Sequence, residues 1–441
     1  MELLWTDKCF LVMLLAGLIV LLAGLRKEPF RVALQQLLHK PLALNSGIIL
    51  MFFLVIGVVD SIHFRTNDST LESLLDRMVA PIGDFYEKTY SAPLALTLYS
   101  TETVVINDKV QQVYPRLKYP PAHYNTGERN RQIAKIAGYA LAWALAGTLL
   151  LCLAIMAFKH FYLRQRLRLS GVTVSGLVTF GICLFVLAAS YWLSRDFHLL
   201  GTGKIGQDIF FYTIKSIRTG LVIGTLTTLF MLPLALLFGI AAGYFGGVID
   251  DIIQYIYTTL SSIPGVLLIT ASVLSMQTYI ASHPDQFTSL DQNADARLFA
   301  LCLILGVTSW TSLCRLLRAE ALKLREMDYV LAAKALGSSS LRIIRKHLLP
   351  NVMPIVLITL VLDFSFLVLA EAVLSYVGVG VSPMTISWGN MINGARLELA
   401  QEPIVWWPMT AAFIFMFILV LASNLFSDAV RDVFDPYHAE Y

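Results

Sequence analysis

Two carboxylates, Asp363 and Glu371, sit inside an otherwise apolar stretch, and three cations, Arg342, Arg345 and Lys346, stand close before it. The carboxylates are eight residues apart in the chain, which on a helix leaves them only about 80° apart around the axis. An ionisable group among apolar side chains is costly unless it faces a bundle interior or a wet cavity. The pair is therefore a candidate lining for a translocation path. Hydrogen bonding between helices, or a place near the membrane surface, is the other use for such groups. The three cations follow the i, i+3, i+4 spacing of one helical face, which suits anionic headgroups or an acidic partner.

Other chemistry finds no residues to carry it. No GxxxxGK[ST] phosphate loop occurs, and Gly203-Lys204-Ile205 is only a superficial echo, so ATP phosphates have no cradle of that kind on this chain. The histidines show neither HExxH nor paired ligand spacing, which leaves them ordinary polar roles rather than metal ligation. A nucleophile elbow for Ser-His-Asp catalysis is missing as well. Cys9, Cys152, Cys183, Cys302 and Cys314 lie in or beside apolar stretches without a CxxC pair, the pattern of buried, reduced thiols. The expectation is a chain with no catalytic or metal residues and no cofactor of its own.

The elements that position such groups belong to a membrane. Of the 441 residues, 57% are hydrophobic and 14% charged, far more apolar than a soluble domain of that size. A helical span needs about 20 apolar residues, and candidates fall near 9–25, 42–59, 134–158, 172–193, 219–243, 252–276, 298–316, 352–376 and 407–427. The short alternating segments of a β-barrel are missing. A net charge of +3 spread over short loops offers nucleic acid no basic stripe. Leu22-Ala23-Gly24-Leu25 runs into Arg26-Lys27, so the first span reads as an uncleaved anchor rather than a secretory signal. The all-α polytopic reading gives spans over 1–59, a small α+β extracytoplasmic segment over 60–132, a third span and loop over 133–171, and six spans over 172–441.

Lys and Arg in short loops mark the cytoplasmic side. Loop 26–41 carries Arg26, Lys27, Arg31 and Lys40, and loop 159–169 carries Lys159, Arg164, Arg166 and Arg168. Counting from these puts the N-terminus outside, the segment 60–132 outside, the basic loop 318–350 inside and the C-terminus inside. Asp250-Asp251, after Gly246-Gly247, then mark a span entry on the inner side. In the outer segment, Ser69-Thr70-Leu71-Glu72 fits a capping box ahead of an amphipathic helix. Val104-Val105-Ile106, Asn107-Asp108 and Val110 to Tyr114 fit a hairpin around a two-residue turn. Such a segment serves as a packing cap or as a docking surface for an external partner.

The inner loop has more internal design. Tyr329 to Leu336 are good helix formers, and Gly337 can take the left-handed conformation that ends a helix. Ser339 or Ser340 can cap a second helix over Leu341 to Leu349, closed by Pro350. Ala332 and Ala333 leave a shallow surface for the close approach of a partner, while Ile343, Ile344 and Leu348 face elsewhere and would pack beneath the bilayer. The loop fits a docking element, or an interfacial helix that only anchors it.

Ala332-Ala333, Gly337 and His347-Leu348-Leu349-Pro350 resemble the EAA-type coupling loop of binding-protein-dependent ABC importer permeases. The wording DYVLAAKALG from Asp328 and RKHLLPN from Arg345 is most similar to the C-type permease subunit of dipeptide and oligopeptide importers. GTGKIGQDIF from Gly201, GYFGGVIDDIIQ from Gly243, SSIPGVLLI from Ser261, SWGNMINGAR from Ser387 and NLFSDAVRDVFDPY from Asn424 continue the likeness in order. It covers roughly 172–441 and nothing in 1–170. The resemblance implies a type I importer core of six spans, with the first three an addition. It implies a coupling loop, with Ala332, Ala333, Gly337, Arg342, His347 and Pro350, seated in a cleft of a separate ATPase. It also implies a second permease subunit, two ABC ATPases that hydrolyse the ATP, an external substrate-binding protein and a bacterial inner membrane with its lipid.

Two departures stand out. Leu331 occupies the place where the loop's Glu often sits, and Gly203 and Gln207 replace the first Asp and the Arg of the external motif, while Asp208 remains. The alternative function is a proton-coupled secondary transporter working through Asp363 and Glu371. It calls for inverted repeats with broken midplane helices, and no such symmetry is visible.

Overall fold

The computed structural model describes residues 4–26, 28–65, 71–80, 82–83, 85–106, 109–120, 126–161, 170–283 and 289–434. It opens with helices α1 (Trp5–Gly24), α2 (Glu28–His39) and α3 (Pro41–Asp60). Strands β1 (His63–Arg65) and β2 (Leu71–Ser73), helix α4 (Leu74–Val79) and strands β3 (Glu102–Ile106) and β4 (Lys109–Val113) follow. Next come α5 (Thr126–Phe161), α6 (Gly171–Leu193), α7 (Ile209–Phe245), α8 (Gly247–Ser262), α9 (Gly265–Ser282) and α10 (Leu290–Arg325). The short α11 (Asp328–Ala335) and α12 (Ser340–Ile343) lead through a π turn (Ile344–Leu348) into α13 (Leu349–Val377). Helices α14 (Trp388–Glu398) and α15 (Trp407–Phe434) end the order. Lipid offers a backbone no hydrogen bonds, so spans must be helical, and nine helices among the described residues are long and apolar enough to cross a membrane.

The span expected over 252–276 is displaced. Pro264 drives the residue before it out of the helical region, and Ile263 sits at φ −85° and ψ 130°. Helix α8 therefore ends at Ser262, and α9 alone is the apolar span. Because α8 buries Asp250, Ile253 and Tyr257, Asp250 packs an amphipathic helix instead of marking a span entry.

The segment over 60–132 holds a second correction. Leu71-Glu72-Ser73 pair as a strand, Leu71 opposite Arg65, and the capping box is made by Ser73 and Asp76. Asp76 N donates to Ser73 Oγ at 3.1 Å, and Ser73 N donates to Asp76 Oδ2 at 2.9 Å. The amphipathic helix is accordingly shorter than expected, with Leu75 buried and Met78 exposed. Strands β3 and β4 form the expected antiparallel hairpin, Ile106 opposite Lys109. Lys27, Ser69, Thr70, Asn107, Asp108, Arg164, Arg166 and Arg168 lie outside the described residues.

The chain forms two compact units. One comprises Met1–Leu3, Leu34–Thr219 and Ile386–Leu425; the other comprises Leu4–Ala33, Gly220–Thr385 and Phe426–Tyr441. In the first, small residues bring helices close, as membrane packing favours: a Cβ on Gly181 would stand 2.8 Å from Thr148 of α5. Asn45 Nδ2 of α3 donates to Ser175 Oγ of α6 at 2.8 Å. In the second, the core runs from Met231, Trp310 and Leu313 to Val330, Ile343, Leu348 and Val352. Helix α1 belongs here, because Asp295 near the start of α10 takes up its first amides. Trp5 N and Thr6 N donate to Asp295 Oδ2 at 2.8 and 3.3 Å, and Thr6 Oγ1 donates to Oδ1. A carboxylate there satisfies donors that a helix start leaves open and complements its dipole.

Candidate functional site

The loop over 318–350 is a helix, a sharp corner and a second helix, as the residues predict, but Ser339 at the start of α12 makes no side-chain capping bond. Gly337 takes φ +75°, a conformation that a Cβ penalises. Its N–H donates to Lys334 O at 3.0 Å, and Ser338 N donates to Ala333 O at 3.1 Å, so the last carbonyls of α11 are satisfied. Pro350 does not close the second helix. Its ring crowds the carbonyl four residues back and it lacks an N–H, and the turn before it widens instead, Leu349 N–H reaching Ile344 O. The loop thus runs on into α13 without a joint.

From within, the loop is held by protein rather than by lipid. Val330, Ile343 and Leu348 are buried in the core of the second unit, with Ala333 and Ile344 half-buried against it. This corrects the expectation that Ile343 and Leu348 pack beneath the bilayer, because the ends of α7 and α10 supply closer apolar cover. Ala332 faces outward, with Leu336 and Leu341 at 86% and 76% exposure. Arg342, Arg345, Lys346 and Pro350 are exposed beside them, and His347 is half-buried. Asn351 Nδ2 donates to Tyr329 Oη at 3.0 Å and to His347 O at 2.7 Å, tying α11 to the start of α13.

A bidentate pair stiffens the platform behind the loop. Arg318 Nε and Nη2 of α10 donate to Asp250 Oδ1 and Oδ2 of α8 at 2.5 and 2.7 Å. The fork geometry makes such a pair strong, and the guanidinium holds Asp250 below the usual carboxylate range.

The two span carboxylates differ. Glu371 is buried and accepts a hydrogen bond from Ser375 Oγ at 2.7 Å, the internal use of such a group. Asp363 is half-buried.

Residues that sequence reasoning passed over gather in the first unit around the stretch from Gly201 to Asp208. His198 is fully buried, its Nδ1 2.6 Å from Asp208 Oδ2 and its Nε2 3.7 Å from Glu87 Oε1. Burial works against the imidazolium, but the Asp208 and Glu87 carboxylates overcome it and push His198 up to about 9. Burial also works to raise Glu87, yet His198 and the donated amides of Tyr119 and Lys118 hold it below its ordinary value. The cation facing Asp208 and Glu87 is His198. Gly206, at φ +76°, accepts from Glu87 N at 3.0 Å, and a Cβ there would overlap the Glu87 carbonyl. Further on, Lys215 Nζ of α7 lies 2.7 Å from Asp76 Oδ1, and Asp60 accepts from Ser73 Oγ at 2.7 Å within electrostatic reach of Lys215 and Arg218. Partners so distant in the chain leave no spacing to read.

The family described as binding-protein-dependent transport system inner membrane component matches residues 235–437. Among individual proteins, the dipeptide transport system permease protein DppC of Lactococcus lactis subsp. cremoris is 30% identical over 56% of this chain and 66% of its own length. The oligopeptide transport system permease protein OppC of Bacillus subtilis is 29% identical over 55% of this chain and 72% of its own. OppC of Mycobacterium bovis is 31% identical over 54% of this chain and 76% of its own.

Proposed function

Since the chain belongs to the binding-protein-dependent transport system inner membrane component family, among its peptide permease subunits, we propose that it forms half of the translocation pathway of an ATP-driven peptide importer. A second permease subunit completes the pathway, two ABC ATPases hydrolyse the ATP, and an external binding protein delivers the cargo. The observation that carries this reading is the inner loop. Its outer surface offers Ala332, Leu336 and Leu341 ringed by Arg342, Arg345 and Lys346, while its inner surface is locked into the core through Val330, Ile343 and Leu348. Exposed apolar side chains on a rigid corner suit a protein cleft. Motion of the ATPases then passes through Leu348 and the unbroken run into α13 rather than dissipating in a hinge.

This reading sets the loop and the C-terminus inside and the N-terminus outside. Asp295, in the second turn of α10, holds the start of α1, and the far end of α10 leads into the loop, which supports an N-terminus on the opposite side. Ser427 Oγ in the last third of α15 donates to Ile358 O in the first half of α13 at 3.3 Å, which supports a C-terminus on the loop's side. With the ATPase in partner subunits, this chain needs no nucleotide site.

Proteoliposomes holding this chain with its second permease and ATPases are expected to accumulate a labelled peptide only when binding protein and ATP are both supplied. Accumulation driven by a proton gradient without ATP would favour the secondary transporter reading through Asp363 and Glu371 instead.

A further inference from the structure

Arg297 of α10 belongs neither to the coupling loop nor to the His198 cluster. It stands two residues beyond Asp295, where the polar start of the helix gives way to the apolar run from Leu298. Three elements of the second unit converge on it: the end of α9 with Met276, Gln277 and Ile280, the start of α10 with Leu301, and Gly380 in the loop after α13. The side chain is half-buried, and its Nε is fully enclosed without a hydrogen-bond partner. No carboxylate pairs with it among the described residues. A guanidinium N–H that has surrendered water without gaining an acceptor, as at Nε, is costly. In this position, at the end of the spans away from the coupling loop, it is a fixed positive charge with apolar walls and one neighbouring amide.

We propose that Arg297 receives the terminal carboxylate of the arriving peptide. The inference rests on the peptide-importer reading and deepens it by assigning a recognised group. Arginine is suited to the task because its planar fork matches a carboxylate bidentately. The space beside it now admits about one water molecule, at roughly 10 Å³, so loading requires a neighbour to withdraw. Met276, unbranched and half-buried, is the side chain that can do so at least cost. An anionic lipid phosphate offers the same charge, and the test separates the two.

The assembled importer is reconstituted with its binding protein, and uptake is compared for a tripeptide and its C-terminal amide, matched for affinity toward that binding protein. Arg297→Gln is expected to lower uptake of the free tripeptide by about tenfold or more and to leave the amide unchanged. Arg297→Lys should recover part of the loss. In parallel, modification of wild-type Arg297 by phenylglyoxal, read by mass spectrometry, should be slowed by the tripeptide and not by its amide. Equal loss for both peptides, no loss for either, or protection by anionic lipid regardless of peptide would overturn the assignment. A wild-type importer that carries neither peptide would instead contradict the proposed function.

Discussion

Leu336→Asp combined with Leu341→Asp is expected to abolish coupled uptake while leaving insertion and folding of the chain intact. Both side chains are exposed, so a carboxylate costs the free chain almost nothing. In the docked state each carboxylate loses water without gaining a partner, about 1–3 kcal/mol apiece, or roughly tenfold to hundredfold in affinity per site. Retention of the ATPases on an affinity-tagged permease measures the effect directly. Gly337→Val should act on the same step through the corner, because a β-branched residue at φ +75° is strained by about 1–2 kcal/mol. Arg342→Gln is the control. It would do most of the damage if the loop were only a headgroup anchor, and a normal importer carrying both aspartates would remove the basis for the docking surface.

A chain beginning at Lys159 is expected not to yield a stable importer, although the resemblance begins only near residue 172 and by itself implies a dispensable addition. Truncation removes Asp60, Asp76 and Glu87, and strands Lys215, Arg218 and His198, which they now help to neutralise. Breaking one partner of a buried pair costs about 3–5 kcal/mol, against a total stability of about 5–15 kcal/mol. Size-exclusion chromatography in detergent should show aggregated material, and a monodisperse complex with ATPases would refute the claim. Glu87→Gln provides a milder version that retains every span. Titration tests the same cluster in the intact protein. His198 is raised in the folded state, so its contribution is complete below about 6.5, its ordinary value, and is lost as pH rises through about 9. Glu87 is lowered, so its contribution is lost on acidification. Tyr119, Asp196 and Arg195 also face this cluster. Thermal stability should therefore fall at the alkaline end in wild type and change less there in Glu87→Gln.

How much of this was readable in advance depended on range. The spans were legible because hydropathy over about 20 residues is a local property, and the loop corner because Gly337 follows a run of helix formers. Pro264 is equally visible, but hydropathy alone carries the span over 252–276 across it, and the extended Ile263 shows that the restriction on a residue before proline outweighs hydropathy there. Pro350 misled in the opposite sense, since a widened turn accommodates a ring that would otherwise break the helix. The outward placement of Ala332 and the half-burial of Ala333 depend on which core surface α11 meets, a tertiary fact. The His198 and Lys215 clusters were illegible because Glu87 and Asp76, which complete them, stand more than one span away in the chain.

Cross-linking at the loop tests the central claim most directly. In a chain whose native cysteines are replaced, a single cysteine at Leu336 is coupled to a short photoreactive reagent in membranes containing the whole importer. Illumination is expected to join this chain to an ABC ATPase, with yield that changes when ATP is added, while a cysteine at Ser282 at the other end of the spans gives no such product. Adducts to lipid alone from Leu336, in vesicles that still import peptide on ATP, would contradict the account.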